Sequence, residues 1–269
     1  MEICHMIRLL PVFALTACFQ SPTPKPPALV SEVRDSTQAA ATRIWKGLPP
    51  ADKSTRLEAA SRALLGRPYL LGGLGEGDSS LGEPKPRLRL DAFDCVTYLE
   101  TSLMLAVSVD SSRFLSNMDS IRYLHGRVDW KSRNHFFEGE WLPRNKHLAK
   151  LVSFSDDTVE MRSLNRKSFY AKRNVDVSDT TLALRMTPRE RAIARWSKPS
   201  DTTRISGVGF IGKVTGYPVL HTGFLVERKG QIAILRHASQ AGTVREQPIA
   251  DYLREKPKFV GVVVWEWFP

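Results

Sequence analysis

The 269-residue chain is 42% apolar and 25% charged, an ordinary globular composition that excludes a fragment too small to bury a core and leaves room for one large domain or two small ones. Its 39 Lys and Arg outnumber 28 Asp and Glu, and the net charge of +11 calls for an anionic partner.

At the N-terminus, Arg8 precedes an apolar run from Leu9 to Ala17 that is too short to span a bilayer. Leu15-Thr16-Ala17-Cys18 resembles the lipobox of a bacterial lipoprotein, so residues 1–17 read as a signal peptide and Cys18 as the lipidated first residue. A start at Met6 gives a cleaner basic region, and a plain secretory signal cut elsewhere is the alternative. Either reading exports the protein to the cell envelope or periplasm; the first anchors it in a membrane. Residues 18–30, with Ser21-Pro22-Thr23-Pro24-Lys25-Pro26-Pro27, form a Pro-rich tether. Cys4 is lost with the signal and Cys18 carries lipid, which leaves Cys95 as the one free thiol. In an oxidising compartment an unpaired cysteine is a liability unless it is used.

A helix is predicted from Ser31 to Lys46, stopped by Gly47 and Pro49-Pro50. A second starts after Pro50 with Asp52 in its first turn, places Leu57, Ala60 and Leu64 on one face, and ends at Gly66. A turn-rich segment with Tyr69 and a polar loop with Pro84 and Pro86 lead to Asp94-Cys95. From Val96 through Leu99, Leu103, Ala106 and Val107 the apolar spacing is that of an amphipathic helix. Cys95 sits at its start, where unpaired N–H groups and a partial positive charge favour thiolate over thiol. The competing reading of a lone cysteine is a buried, inert one.

Phe114–Tyr123 reads as helix, and Leu124–Trp141 is rich in aromatic, histidine and basic residues. The basic stretch Pro188–Trp196 reads as a solvated helical face. Four β-prone runs follow, Gly207–Lys213, His221–Arg228, Gln231–His237 and Phe259–Phe268, with a hairpin at Lys229-Gly230 and a short helix at Ile249–Glu255. Helices first and antiparallel strands afterwards give an α+β class. The hairpin sets His221 nearly opposite His237.

The order Tyr69, Asp94-Cys95, His221-x-Gly223, His237-Ala238 resembles the papain-like cell-wall cysteine peptidases of the NlpC type. More narrowly, Asp94-Cys95-Val96-Thr97-Tyr98-Leu99-Glu100-Thr101, Ile121-Arg122-Tyr123 with Gly126, Ser132-Arg133-Asn134-His135-Phe136-Phe137 and Trp141 resemble the N-acetylmuramoyl-L-alanine amidase-like family, numbered 1460 among the domains of unknown function. The resemblance implies one papain-like amidase domain over residues 31–269, with N-terminal helices packed on an antiparallel sheet and a family-specific insertion at about 110–204. It implies Cys95 as nucleophile, His221 as base and His237 as orienter, acting without a cofactor on the amide between N-acetylmuramic acid and L-alanine in peptidoglycan or its fragments. Tyr69, Asp94, Arg133, His135 and Trp141 (or Trp130 in its place on the sugar) are the implied substrate contacts.

Two departures stand out: Leu220-His221-Thr222-Gly223-Phe224 where the family has Ser-His-Val-Gly-Ile, and Gly207-Val208 where it has Gly-Asp. They motivate the alternative of a non-catalytic envelope or peptidoglycan-binding protein on the same fold. Arg133 and His135 have a structural reading too, in an internal network with Glu138 or Glu140. A zinc site from Cys95, His221 and His237 has proper ligand types but no close-spaced pair. Nucleic acid is opposed by export and by the lack of a binding motif.

Overall fold

The computed structural model describes residues 30–73 and 87–269, with side chains from residue 36 onward. The expected signal segment, Cys18, the tether up to residue 29 and the loop holding Pro84 and Pro86 lie outside the described residues. Four helices come first: α1 (Val30–Lys46), α2 (Lys53–Ala63), α3 (Cys95–Val107) and α4 (Phe114–Arg122). After the short α5 (Leu142–Arg144) come β1 (Ala149–Val152) and β2 (Thr158–Leu164), then α6 (Arg166–Ala171), β3 (Thr180–Pro188) and α7 (Arg189–Trp196). The C-terminal part runs β4 (Arg204–Gly212), β5 (Val219–Glu227), β6 (Ile234–Ala238), β7 (Val244–Pro248), α8 (Ile249–Glu255) and β8 (Phe259–Trp267).

The strands form one sheet in the order β2-β3-β8-β4-β5-β6-β7, with β1 also paired to β8, and every pairing of named strands is antiparallel. The α+β reading is therefore correct, and the four expected strands all form. Between the third and fourth of them lies β7, a strand the sequence pattern does not mark. The stretch read as an insertion is wired into the same sheet, since β1 and β3 both pair with β8.

Alternation along the strands builds a core on each face. Phe224, Val226, Trp265 and Trp267 join the apolar residues of α2, α3 and α4 on one side; Val208, Phe210, Leu225 and Leu235 join Trp196 of α7 and Tyr252 and Leu253 of α8 on the other. Gly207 is fixed by this packing, because a Cβ there would stand 1.9 Å from the Trp265 ring.

Two expected details change. Asp52 is the N-cap of α2, not a first-turn residue: its carboxylate accepts from the Ser54 and Thr55 amides, and the helix closes at Ala63. More important, α3 is not amphipathic. Every residue from Thr97 to Ala106 is buried, because helices cover its outer side as the sheet covers its inner side.

Its polar residues must therefore find partners inside. Arg122 Nε donates to Glu100 at 2.7 Å and Trp141 Nε1 donates to the same carboxylate at 3.2 Å, with Glu100 and Arg122 both almost fully buried. A buried pair is costly to break from one side, because the remaining charge stays desolvated. Arg122→Met is expected to lose about 3–5 kcal/mol of unfolding free energy in urea titrations, and Glu100→Leu added to it to recover much of that loss.

Candidate active site

The site is built from the start of α3 and one end of the β5–β6 pair. Asp94 is the N-cap, with its carboxylate accepting from the Thr97 amide at 2.8 Å and its own amide donating to Thr97 Oγ1 at 3.0 Å. This reciprocal box makes Cys95 the first helical residue, in the turn whose N–H groups lack intrahelical acceptors. Asp94 is 3% exposed, its Oδ1 is taken by Thr97 and it lies outside the cleft lining, so it positions Cys95 and is not placed as the expected substrate contact.

Across the sheet, β5 and β6 pair with Phe224 opposite Arg236. Continuing that register sets His237 against Gly223 and puts His221 two residues away on the same face, a diagonal neighbour and not the near-opposite partner expected. A Cβ on Gly223 would lie 2.9 Å from the Cβ of His237, so the missing side chain is what lets the two imidazoles meet. They do meet: His221 Nε2 and His237 Nδ1 are 2.6 Å apart, one donating to the other. That bond engages Nε2 of His221, so exchange of a proton with a thiol falls to Nδ1. The bond also turns the two rings toward one another, not toward a shared metal.

Cys95, partly exposed, and His221 line one cleft with His135, Phe136, Phe137, Glu138 and Tyr217. Thr222, where the family pattern has valine, donates through Oγ1 to the Cys95 carbonyl at 3.3 Å and ties β5 to the start of α3. Tyr69 is brought to the same place by a bridge to Phe93, beside the N-cap. His135 is half-buried in the cleft wall, with Nε2 donating to the Trp130 carbonyl at 2.8 Å.

Two expected contacts are elsewhere. Trp141 is fully buried, stacks on Phe137 and bonds Glu100, so it is a core residue and not a sugar platform. Arg133, 1% exposed, lies near the Arg122 guanidinium and outside the cleft lining. The aromatic stretch that contains them is threaded into the interior, and only His135, Phe136, Phe137 and Glu138 emerge at the cleft.

Residues 59–262 match the family model described as AmiA-like, N-acetylmuramoyl-L-alanine amidase-like. The chain belongs to this amidase-like family. A search of the curated proteins finds no match. Among solved structures, a Legionella pneumophila protein of domain of unknown function 1460 shares 20% identity at a TM-score of 0.77, over 90% of this chain and 97% of its own. An N-acetylmuramoyl-L-alanine amidase from Bacteroides uniformis shares 19% identity at a TM-score of 0.64, over 80% of this chain and 98% of its own. At these identities the likeness is one of fold.

Two residues beside the histidine pair or the thiol carry little sequence signal. Tyr252 stands with Ile249 and Leu253 at helical spacing and reads as core, yet its ring lies 5.0 Å from that of His237 and 5.8 Å from that of His221. Its hydroxyl is held far above its ordinary pKa first by burial and next by the charge of Cys95. Glu138 follows two phenylalanines, and an acid flanked by apolar residues was the only hint. Glu140, not Glu138, serves the internal network: its carboxylate accepts from the His135 and Phe136 amides and pairs with Arg166.

Burial, reinforced by Lys258, pushes His221 down to about 3. Burial also pushes His237 far below its ordinary value, helped by His221, Arg245 and Lys256. Glu138 moves the other way, raised to about 7 by burial against the pull of backbone N–H groups.

These shifts predict an acid response of stability. Between pH 6.5 and 5 the unfolded chain protonates both histidines while the folded chain does not, so stability falls as pH falls. Glu138 opposes this, because below pH 7 the folded chain holds a proton that the unfolded chain lacks until about 4.5. The net is close to one proton, a loss on the order of 1 kcal/mol per pH unit. Urea midpoints across this window should show that slope, steeper by about one more proton in Glu138→Gln and nearly flat in His237→Asn.

Proposed function

We propose that this protein is a cysteine amidase that cleaves the amide between N-acetylmuramic acid and L-alanine in peptidoglycan or its fragments, on an NlpC-type papain-like scaffold. The observation that carries the reading is the 2.6 Å bond between His221 and His237 beside a cysteine that begins a helix and shares a cleft with His221. Membership of the amidase-like family supports the bond cleaved.

In this mechanism His221 Nδ1 takes the Cys95 proton as Sγ attacks the lactyl carbonyl. The oxygen charge of the tetrahedral intermediate falls near the first N–H groups of α3. Collapse breaks the C–N bond, His221 returns the proton to the leaving L-alanyl nitrogen, and a thioester remains on Cys95. Water, deprotonated by His221, attacks the thioester carbonyl; the C–S bond breaks, His221 returns the proton to the Cys95 thiolate, and the muramic acid carboxylate is freed. Because the proton is taken at Nδ1, the neutral and the charged His221 alike carry hydrogen on Nε2 and donate it to His237 Nδ1. This places the hydrogen of His237 on its own Nε2, an atom buried without a hydrogen-bond partner among the described residues. Tyr217, exposed at the cleft and backed by the buried Phe136 with ring centroids 5.0 Å apart, offers an aromatic wall for the sugar.

Export and a lipid anchor on Cys18 belong to the same proposal, because peptidoglycan lies outside the cytoplasmic membrane. The test is incubation with a muramoyl-L-alanyl peptide and detection of free peptide by mass spectrometry. Release by the wild type and at least a thousandfold loss in Cys95→Ala are expected, on the order of a lost nucleophile. Undiminished release by Cys95→Ala would overturn the mechanism, and no release by wild type would favour a binding protein.

A further inference from the structure

A second cleft lies on the far side of His221, between the β6–β7 turn and α8. It is lined by His221, Ser239, Arg245, Tyr252, Lys256 and Lys258 together with Leu220, Gln240, Ala241 and Phe259, and so by three basic side chains and no acidic one. Arg245 is held across from His237 in the β6–β7 register. Its Nη2 donates to the neutral Gln247 at 2.6 Å, and its buried Nε has no acceptor among the described residues. No carboxylate among the described residues forms an ion pair with Lys256 or Lys258. On α8 itself, Asp251 is taken by Arg254, and Glu255 does not line the cleft.

Most arginines around the sheet are treated differently. Arg236, one residue from His237, is fully buried and pairs with Glu58 and Glu246; Arg204 pairs with Glu227. Three cations left without a carboxylate around one concavity, beside the histidine pair, constitute a site for a negative group supplied from outside.

We propose that this cleft is an anion subsite in which Arg245, Lys256 and Lys258 seat a carboxylate of the peptide part of the substrate. The inference rests on the amidase reading for the identity of the ligand, and on the cleft alone for its charge. The peptide is the part of a muramoyl peptide that carries carboxylates, whereas the sugar is neutral and suited to the aromatic wall on the other side of His221. The anion also has an effect on the chemistry. The three cations act on the histidine pair and disfavour a proton there, so a bound carboxylate offsets them and makes His221 a better base when substrate is in place.

Two ligands that differ by one carboxylate test this: N-acetylmuramoyl-L-alanyl-D-glutamate and its α-amide, N-acetylmuramoyl-L-alanyl-D-isoglutamine. The wild type is expected to favour the diacid about tenfold in kcat/KM, the size of one charge-assisted contact. That ratio should fall toward one in about 0.5 M NaCl and in Arg245→Gln and the double variant Lys256→Gln/Lys258→Gln. Calorimetric titration of Cys95→Ala with the same two ligands reads the preference without turnover. Equal kcat/KM and equal affinities in the starting proteins, or a preference untouched by the three substitutions, would overturn the subsite. A binding preference without peptide release would keep the subsite and overturn the amidase reading; release without preference would do the reverse.

Discussion

The hydrogen bonds between Asp94 and Thr97 decide where α3 begins, and the geometry of the site follows from that start. One residue of drift would rotate Cys95 by about 100° around the helix axis and carry it away from the cleft. Capping makes the start unambiguous, and burial of the whole helix from Thr97 to Ala106 makes it immovable. Behind it, Tyr98 donates to the Ser61 carbonyl at 2.8 Å and Arg236 donates to the Ser61 hydroxyl at 2.7 Å, so α2, α3 and β6 are locked through one residue. Arg236 points to that helical face and its neighbour His237 to the other, which makes the same strand a structural tie on one side and part of the candidate site on the other.

The histidine pair is held at a cost. Both rings are almost fully buried and neutral, close to uncompensated cations on β7 and after α8. Taken alone this environment suits a poor base. In the proposed mechanism the proton arrives only with a thiolate forming nearby and an anion in the adjoining cleft, so the base gains strength when the reaction needs it. Glu138, in the cleft lining, is raised to about 7 by the same burial, so near neutrality it adds only a partial negative charge beside the thiol.

Much of this was legible in the chain. Asp94-Cys95 before a helical apolar period, His-x-Gly on a strand and a Lys229-Gly230 turn place the thiol and both imidazoles, because capping, alternation and hairpin pairing are local rules. Gly223 carried more information than its turn propensity suggests, since its role is the space it leaves for His237. What the chain did not show depends on contacts far apart in sequence. Trp141 and Arg133 look like ligand contacts in a polar aromatic stretch, and become interior residues only because Glu100 and the α3–α4 packing claim that stretch. Tyr252 looks like core and stands beside the site because α8 folds back over β6. The basic cleft joins side chains from β7 and from the segment after α8, with nothing in either to mark it.

The central claim is that Cys95 is the group that attacks. Alkylation of the protein with iodoacetamide at neutral pH, mapped by peptide mass spectrometry and followed in parallel with peptide release, tests it most directly. The account predicts that release falls in proportion to carbamidomethylation of Cys95, and that a muramoyl-L-alanyl peptide slows both. Full modification of Cys95 with release unchanged would contradict it.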